Sequence, residues 1–587
     1  MSAIVENSPG NRVLALTILL LSLVMGGWLR FSGLADKGIT HPEMYVPGIS
    51  LPEGISEPAE RKSVVKILTG TFSSDTHPPG YYLAMLPWTR LAGTGLRAMR
   101  LPSALLGLGC VALVYALGSL VGRPLSGALA AFMLAASGYH VFWSKVARMF
   151  AQGCFLGLAS TVVLVLIVRG TKHRTVLSTI YVILILAGVA THVFFWGLFA
   201  THILWTFANA APEKQLSEIA RTQLLALILG SPLLAFAAYQ SGTTVAELSG
   251  NAIQYLGGFL GFAFLLPNSD SGFFPGPVPL TGSAWAWALR GLLLVVGAWL
   301  ALAGILEARK LPNGATPAGD ENRPDSGWIG GWIAGWIAAG MIATLEILAF
   351  LYLTRVLPPD QIHPTIKATK ILTVLPLALA VAAIAIDRAW RPVTERVPRI
   401  ATPQALIALL AFLPFALLAA ASQIRPLLNQ RGFLFAAPYL LLLFAMGALS
   451  LRRRSMRVAV GLVIGVGCAA SLLSYDSMNV GAVDYGRFAA DLAPQVQPGD
   501  LVFLEKIWNA TPMLYYFTTS DRHHVVGRIV GRNFPSACAQ NPDSRIWVVL
   551  MHDSPPTPEM SAALSQYHLV HTLMEPDGRA LLYQRTD

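Results

Sequence analysis

Apolar runs long enough to cross a bilayer recur along most of this 587-residue chain, and that leaves few folds open to it. A spanning helix needs about 20 apolar residues, and about 17 suffice. Such runs fall at 13–29, 101–121, 125–141, 150–168, 175–191, 193–209, 222–239, 283–306, 328–353, 371–387, 404–422, 432–450 and 457–475. Together these thirteen predict a mainly α, polytopic helix bundle, because lipid offers no partner to an unpaired backbone N–H or C=O. Composition agrees. The chain is 54% hydrophobic and 12% charged, against about 25% charged in soluble domains. The formal charge of +11 would suit nucleic acid. The basic residues sit in short clusters between apolar runs, however, as membrane topology demands, so no nucleic-acid partner is expected.

Those clusters set an orientation. With the N-terminus inside, the inner loops hold sixteen Lys and Arg, from Arg169 to Arg457, whereas outer loop 241–282 holds none. The asymmetry predicts a multi-pass plasma (inner) membrane protein with a cytoplasmic N-terminus, and with loop 30–97 and the tail outside. The first run follows Arg12 like a signal peptide but lacks a small-residue cleavage site after it, so it reads as a retained helix. Segment 80–94 is short and interrupted by Pro87, which suggests an interfacial or re-entrant helix. The four cysteines lie far apart with no CxxC spacing, which argues against a disulfide framework or zinc ribbon. The composition changes after residue 475. Runs such as Leu501–Leu504 and Ile546–Leu550, separated by turn residues, predict a small extracytoplasmic α/β domain over 476–587, behind a membrane module over 1–475.

Three segments could carry chemistry. Glu43, in Thr40-His41-Pro42-Glu43, lies some fourteen residues past the first helix. It is a general base, a metal ligand, or simply a solvated loop carboxylate. Asp75-Thr76-His77-Pro78-Pro79-Gly80-Tyr81-Tyr82 has two prolines that stiffen the approach to segment 80–94, and a tyrosine pair suited to a water–lipid interface. In Trp143–Phe150, Lys145 and Arg148 are two cations on an outer loop, able to meet a phosphate or to snorkel toward headgroups. His41, Glu43, Asp75 and His77 make an N/O set able to hold a divalent metal ion, and no other cofactor is expected.

The order of these segments, with Arg100-Leu101-Pro102-Ser103 following the second, resembles the GT-C superfamily of membrane glycosyltransferases, near its protein O-mannosyltransferase and aminoarabinose-transferase branch. The resemblance covers mainly residues 13–210, with weaker support from Arg431 to Pro438. It implies a GT-C-like bundle and a hexosyltransferase-like enzyme that inverts the anomeric centre. The sugar would pass from a polyprenyl-phosphate donor to a hydroxyl of a protein, glycan or lipid acceptor at the outer face. Glu43, with Asp75, would be catalytic. His77, Tyr81, Tyr82, Lys145, Arg148, Lys367, Lys370 and Arg431 would bind substrate, and membrane lipids would surround the bundle. Two runs depart from the family pattern. Pro42 stands where an Asp precedes the Glu, and Val146 and Phe150 replace an acid and a Tyr. Asp36 or Asp75 would then supply the missing acid.

Two rivals follow from the same residues. A non-catalytic lipid- or partner-binding scaffold fits the lost Asp. A transporter would place its ionisable residues near the midplane of broken helices, whereas this chain gathers them at the outer interface. The exception is Arg290 with Glu346, each roughly 10–12 Å inside its helix at about 1.5 Å per residue; these two are expected to pair. Loop 241–282 reads equally as a flap over the acceptor or as an interfacial loop. Tyr515, Tyr516, His523 and His524 in the tail are either carbohydrate contacts or ordinary domain residues. An exposed-loop Glu43→Gln substitution is expected to change stability by no more than about 0.5 kcal/mol.

Overall fold

A computed structural model describes residues 8–49, 63–65, 67–68, 77–170, 173–208, 214–240, 295–305, 403–422, 434–480, 484–504, 512–513, 515–516, 525–526, 534–551, 555–576 and 578–586. The amino-terminal half is a run of helices: α1 (Pro9–Phe31), α2 (Gly80–Ala92), α3 (Leu96–Leu120), α4 (Pro124–Ala135), α5 (Gly138–Ser144), α6 (Met149–Val168) and α7 (Arg174–Thr191). Among the described residues five helices are long and apolar enough to cross a membrane, and a sixth crossing is made if α4 and α5 count as one bent span. The expected spans 328–353 and 371–387 lie outside the described residues.

Helix α1 illustrates how the bundle meets lipid. Ser8 accepts a hydrogen bond from the Asn11 amide, and Pro9 opens the helix where a missing N–H costs nothing. Its buried face is Ala15, Ser22, Gly26 and Arg30, at spacings that return to one side of the helix. Val13, Leu20, Val24 and Trp28 stand outward and exposed. In a bilayer that apolar outer face is the lipid contact, and the small inner residues let neighbouring backbones approach.

The expected span over 125–141 is not a straight helix but a broken span or a re-entrant loop. It is two helices, α4 and α5, bent by 66°, with Ser137 capping the second by accepting from the His140 amide. The break at His192 is real as well: α7 ends at Thr191, and the next helix runs Phe195–Ala208. The helix Ala437–Ser450 is buried from Ala437 through Ala448 and so forms the centre of the bundle. A polar network crosses this apolar core. Tyr439 and His202 meet the Thr161 hydroxyl at 2.7 and 3.0 Å, and Tyr181 meets the other ring nitrogen of His202 at 3.0 Å.

The carboxy-terminal sheet has the order β2-β1-β3-β5-β4, from β1 (Leu501–Leu504), β2 (Val525–Val526), β3 (Ile546–Met551), β4 (Tyr567–Glu575) and β5 (Gly578–Arg585). The first three strands in that order are parallel, and β5 and β4 are antiparallel. Alternate side chains feed two cores, as a strand's period of two requires. Val502, Leu504, Trp547 and Val549 pack on helix Tyr485–Leu492. Leu501, Phe503, Ile546 and Val548 pack on Phe534, Cys538 and Met560 from the other side. A helix on each face of the sheet makes this a layered α/β unit.

Candidate functional site at the ends of the first helices

The segment after α1 folds back into a short 3-10 turn, His41–Tyr45. The backbone and hydroxyl of Thr40 donate to Glu43 Oε2 at 2.9 and 3.2 Å. Arg100, one turn into α3, donates from Nε to Oε1 at 2.8 Å and from Nη2 to Oε2 at 2.7 Å. The Ala147 amide donates to Oε1 at 2.8 Å. Five donors therefore converge on one carboxylate with 0% exposure. Burial alone would push its pKa up. The Arg100 charge and the hydrogen bonds from Arg100, Ala147 and Thr40 outweigh burial and hold it below the ordinary 4.5.

The expectation of an exposed loop carboxylate at Glu43 is thus corrected: it is buried and engaged by five donors. The same geometry argues against Glu43 as a metal ligand, since a cation would have to displace Arg100. Arg100 itself is complete. Its remaining N–H groups donate to the carbonyls of Leu34 and Lys37, both at 2.9 Å, and of Gly38 at 2.8 Å. One guanidinium therefore shapes the chain from Leu34 to Glu43. Sequence reasoning noticed Arg100 only as part of a run. Two arginines, Arg97 and Arg100, at the start of an apolar helix are the signal there.

Arg148, the residue before α6, is differently placed. It is 4% exposed. Its Nη1 donates to the Pro42 carbonyl at 3.1 Å and to the Tyr82 hydroxyl at 3.4 Å, and the guanidinium lies over the Tyr45 ring at 5.9 Å. Its Nε is buried with no hydrogen-bond partner among the described residues, and so is the Tyr81 hydroxyl. These two groups are close enough to interact electrostatically. Tyr81 and Tyr82 are 2% and 1% exposed, so the tyrosine pair is not an interfacial anchor as expected but lines the inside of the site.

Lys145 is half-buried and donates from Nζ to the Ser32 carbonyl at 2.6 Å. Burial lowers its pKa, Asp36 nearby raises it, and Arg100 lowers it again; the net direction is down. Asp36 is exposed. The His77 ring lies 5.7 Å from that of His192, which also meets Phe150, Phe194 and Phe435. This aromatic hub brings the second motif against α6 and α7. Gly80 explains how: a Cβ there would stand 2.6 Å from the Ala190 carbonyl oxygen, so only glycine lets α2 start against the end of α7.

Asp75, Lys367, Lys370, Arg431, Arg290, Glu346, His523, His524 and loop 241–282 lie outside the described residues, as does the side chain of His41. A second donor set, missed from the sequence, is buried lower in the bundle. Cys110, His140 and Cys154 bring their ligand atoms within 4.8 Å of one another. Arg30 Nη2 meets His140 Nδ1 at 2.9 Å. Arginine can only donate, so the ring proton belongs on Nε2, which faces Cys154 Sγ at 3.9 Å. That tautomer offers no lone pair to a metal between the two sulfurs.

No family model and no curated protein matches the chain. Solved structures with a similar course include ArnT from Cupriavidus metallidurans in the apo state, at 13% identity and a TM-score of 0.42, with 97% of each chain covered. ArnT bound to undecaprenyl phosphate matches at 14% and 0.40, with 98% of each chain covered. An oligosaccharyltransferase from Archaeoglobus fulgidus, in complex with Zn and sulfate, matches at 11% and 0.45 over 97% of this chain and 73% of its own. Likeness at this level says nothing about individual residues, so the chemistry has to come from the site itself.

Proposed function

We propose that this chain is a multi-pass membrane glycosyltransferase. It moves a sugar from a polyprenyl-phosphate donor to an acceptor hydroxyl at the outer face, with inversion. One observation carries the reading: Arg148 Nε and the Tyr81 hydroxyl are buried donors with no hydrogen-bond partner among the described residues, close enough to interact electrostatically. A buried donor without a partner costs about 1–3 kcal/mol. A phosphate oxygen would satisfy both, and the Arg148 charge would stabilise the phosphate as it leaves. Lys145 adds a second cation on the same face, and Lys367, Lys370 and Arg431 are further candidates.

In the proposed step a carboxylate takes the proton of the acceptor hydroxyl. The hydroxyl oxygen then bonds to the anomeric carbon as the bond from that carbon to the phosphate oxygen breaks, releasing polyprenyl phosphate. Glu43 is too well engaged to be that base, and its part is to fix the loop through Arg100. Asp36 is the exposed carboxylate beside Lys145, and Asp75 is the alternative from the second motif. The His77 and His192 rings would flank the sugar. Transfer of labelled sugar from a polyprenyl-phosphate donor pool, in membranes carrying the wild type, Arg148→Gln, Asp36→Asn or Asp75→Asn, tests the assignment. Loss in Arg148→Gln and in one Asp variant supports it, and transfer undiminished in all three overturns it.

A second reading is a lipid-phosphate-binding scaffold without transfer. It is favoured by Pro42 in place of an acid and by the five hydrogen bonds that occupy Glu43. Binding of undecaprenyl phosphate without transfer of any sugar would select it.

A further inference from the structure

We infer that the carboxy-terminal α/β unit is a working part of the outer site, holding the Glu43 loop in place through Tyr515 and Tyr516. The Ile39 N–H donates to the Tyr516 hydroxyl at 2.8 Å. Ile39 directly precedes Thr40, whose amide and hydroxyl bind Glu43. The Tyr515 hydroxyl donates to the Thr94 carbonyl at 2.9 Å. Thr94 sits in the turn between α2 and α3, where Gly93 adopts a φ of +80°, six residues before Arg100. Adjacent tyrosines thus grip the two segments whose side chains form the Glu43–Arg100 pair. Their rings are themselves edge-to-face at 5.1 Å.

Packing gives the same answer independently. Tyr516 packs against the membrane-module core and against the core formed by helix Tyr485–Leu492 and the sheet. Among the described residues it is the one that packs against both cores. A shift of the α/β unit would therefore pull on Ile39, and through Thr40 on the turn whose Pro42 carbonyl orients Arg148. Tyr515 and Tyr516 are positioning residues: neither is a hydrogen-bond partner of Arg148 Nε or the Tyr81 hydroxyl, yet Tyr516 holds the segment leading to Pro42, whose carbonyl meets Arg148, and Tyr515 holds the turn leading to Arg100. The chemistry is that of a hydrogen-bond clamp, in which each hydroxyl fixes one backbone group of the other domain.

Tyr516→Phe in the full-length protein tests this, because the ring that joins the two cores stays and only the acceptor for Ile39 is lost. Hydrogen exchange in detergent or nanodiscs should show the peptide covering residues 34–44 exchanging about tenfold faster, the effect of one net hydrogen bond. Peptides from β3 and β5 should be unchanged. Unchanged exchange over 34–44 overturns the clamp. A second measurement rests on the proposed transfer. There, Tyr516→Phe should raise KM for the lipid-phosphate sugar more than it lowers kcat, while thermal stability is kept. Tyr516→Ala should lower stability as well, since it empties the contact between the cores. A KM equal to wild type in the Phe variant would overturn the link to the site. If the wild type transfers no sugar, the proposed function fails, and the exchange measurement still decides the clamp by itself.

Discussion

Two buried arginines stand a few residues apart in space, and they differ in one respect. Arg100 has a carboxylate, three carbonyls and no donor to spare. Arg148 bonds only neutral oxygens, through Nη1, and its Nε is left over among the described residues. Burying a charge without compensation is expensive. Arg100 is therefore fully accounted for by the fold, whereas Arg148 keeps a donor that no group among the described residues accepts. On the proposed reading Arg100 is structural and Arg148 functional, although both are buried cations at one end of the same bundle.

Replacing Arg100 by Ala should break the comparison most severely. It strands Glu43 as a buried charge and frees three carbonyls, so unfolding in detergent should show a loss of about 3–5 kcal/mol or more. Near-wild-type stability would mean the pair is not buried as described. Glu43→Gln should follow at about 3 kcal/mol, because Arg100 keeps its carbonyl partners. That is well above the half-kilocalorie expected of an exposed loop. Arg148→Gln should reverse the pattern. Its stability should stay within about 1 kcal/mol of wild type, while affinity for undecaprenyl phosphate falls by roughly tenfold or more, as for a lost charge-assisted hydrogen bond. Lys145→Gln should weaken the same binding by only a few-fold, since its ammonium is partly exposed and its charge is screened by water.

Acid sharpens the contrast. The carboxylate of Glu43 has a lower pKa in the folded protein than its ordinary 4.5, so the unfolded chain takes up that proton first as pH falls. The stabilisation from the pair is therefore complete above 4.5 and is lost progressively below it, as pH passes through the folded value. Thermal unfolding followed from pH 7 downward should show this acid limb in the wild type and a shallower one in Glu43→Gln. Equal limbs would show that the pair carries no such linkage.

Much of this site was legible in advance as an address. The residues Thr40–Glu43, His77–Tyr82, Arg100 and Lys145–Arg148 were singled out by charge or proline in an otherwise apolar chain, and they do meet. Their roles were not legible. A glutamate in a loop of polar residues looks solvated, and only the backbone amide of Ala147 and the guanidinium of Arg100, arriving from distant positions, bury it. The tyrosines at 81 and 82 looked interfacial for the same reason, since an amphipathic ring suits a water–lipid boundary until other helices cover it. Tyr515 and Tyr516 stood out only as aromatic candidates for carbohydrate contact, and nothing in the sequence places them against Ile39 and Thr94. The bend between α4 and α5 falls at the start of Ser137-Gly138-Tyr139-His140, an interruption too short to divide the apolar run by hydropathy alone.

By itself the sequence determined the class of molecule: lipid-facing helices, because runs of this length and apolarity have no other stable solution in a bilayer, and an α/β unit after them, because alternating strands buried on both faces demand helices to cover them. Which charges are spent and which are left over was decided only in three dimensions. Hydropathy is a property of each segment alone. The satisfaction of a buried donor depends on groups 57, 66 or 104 positions away, and no local pattern records whether they arrive.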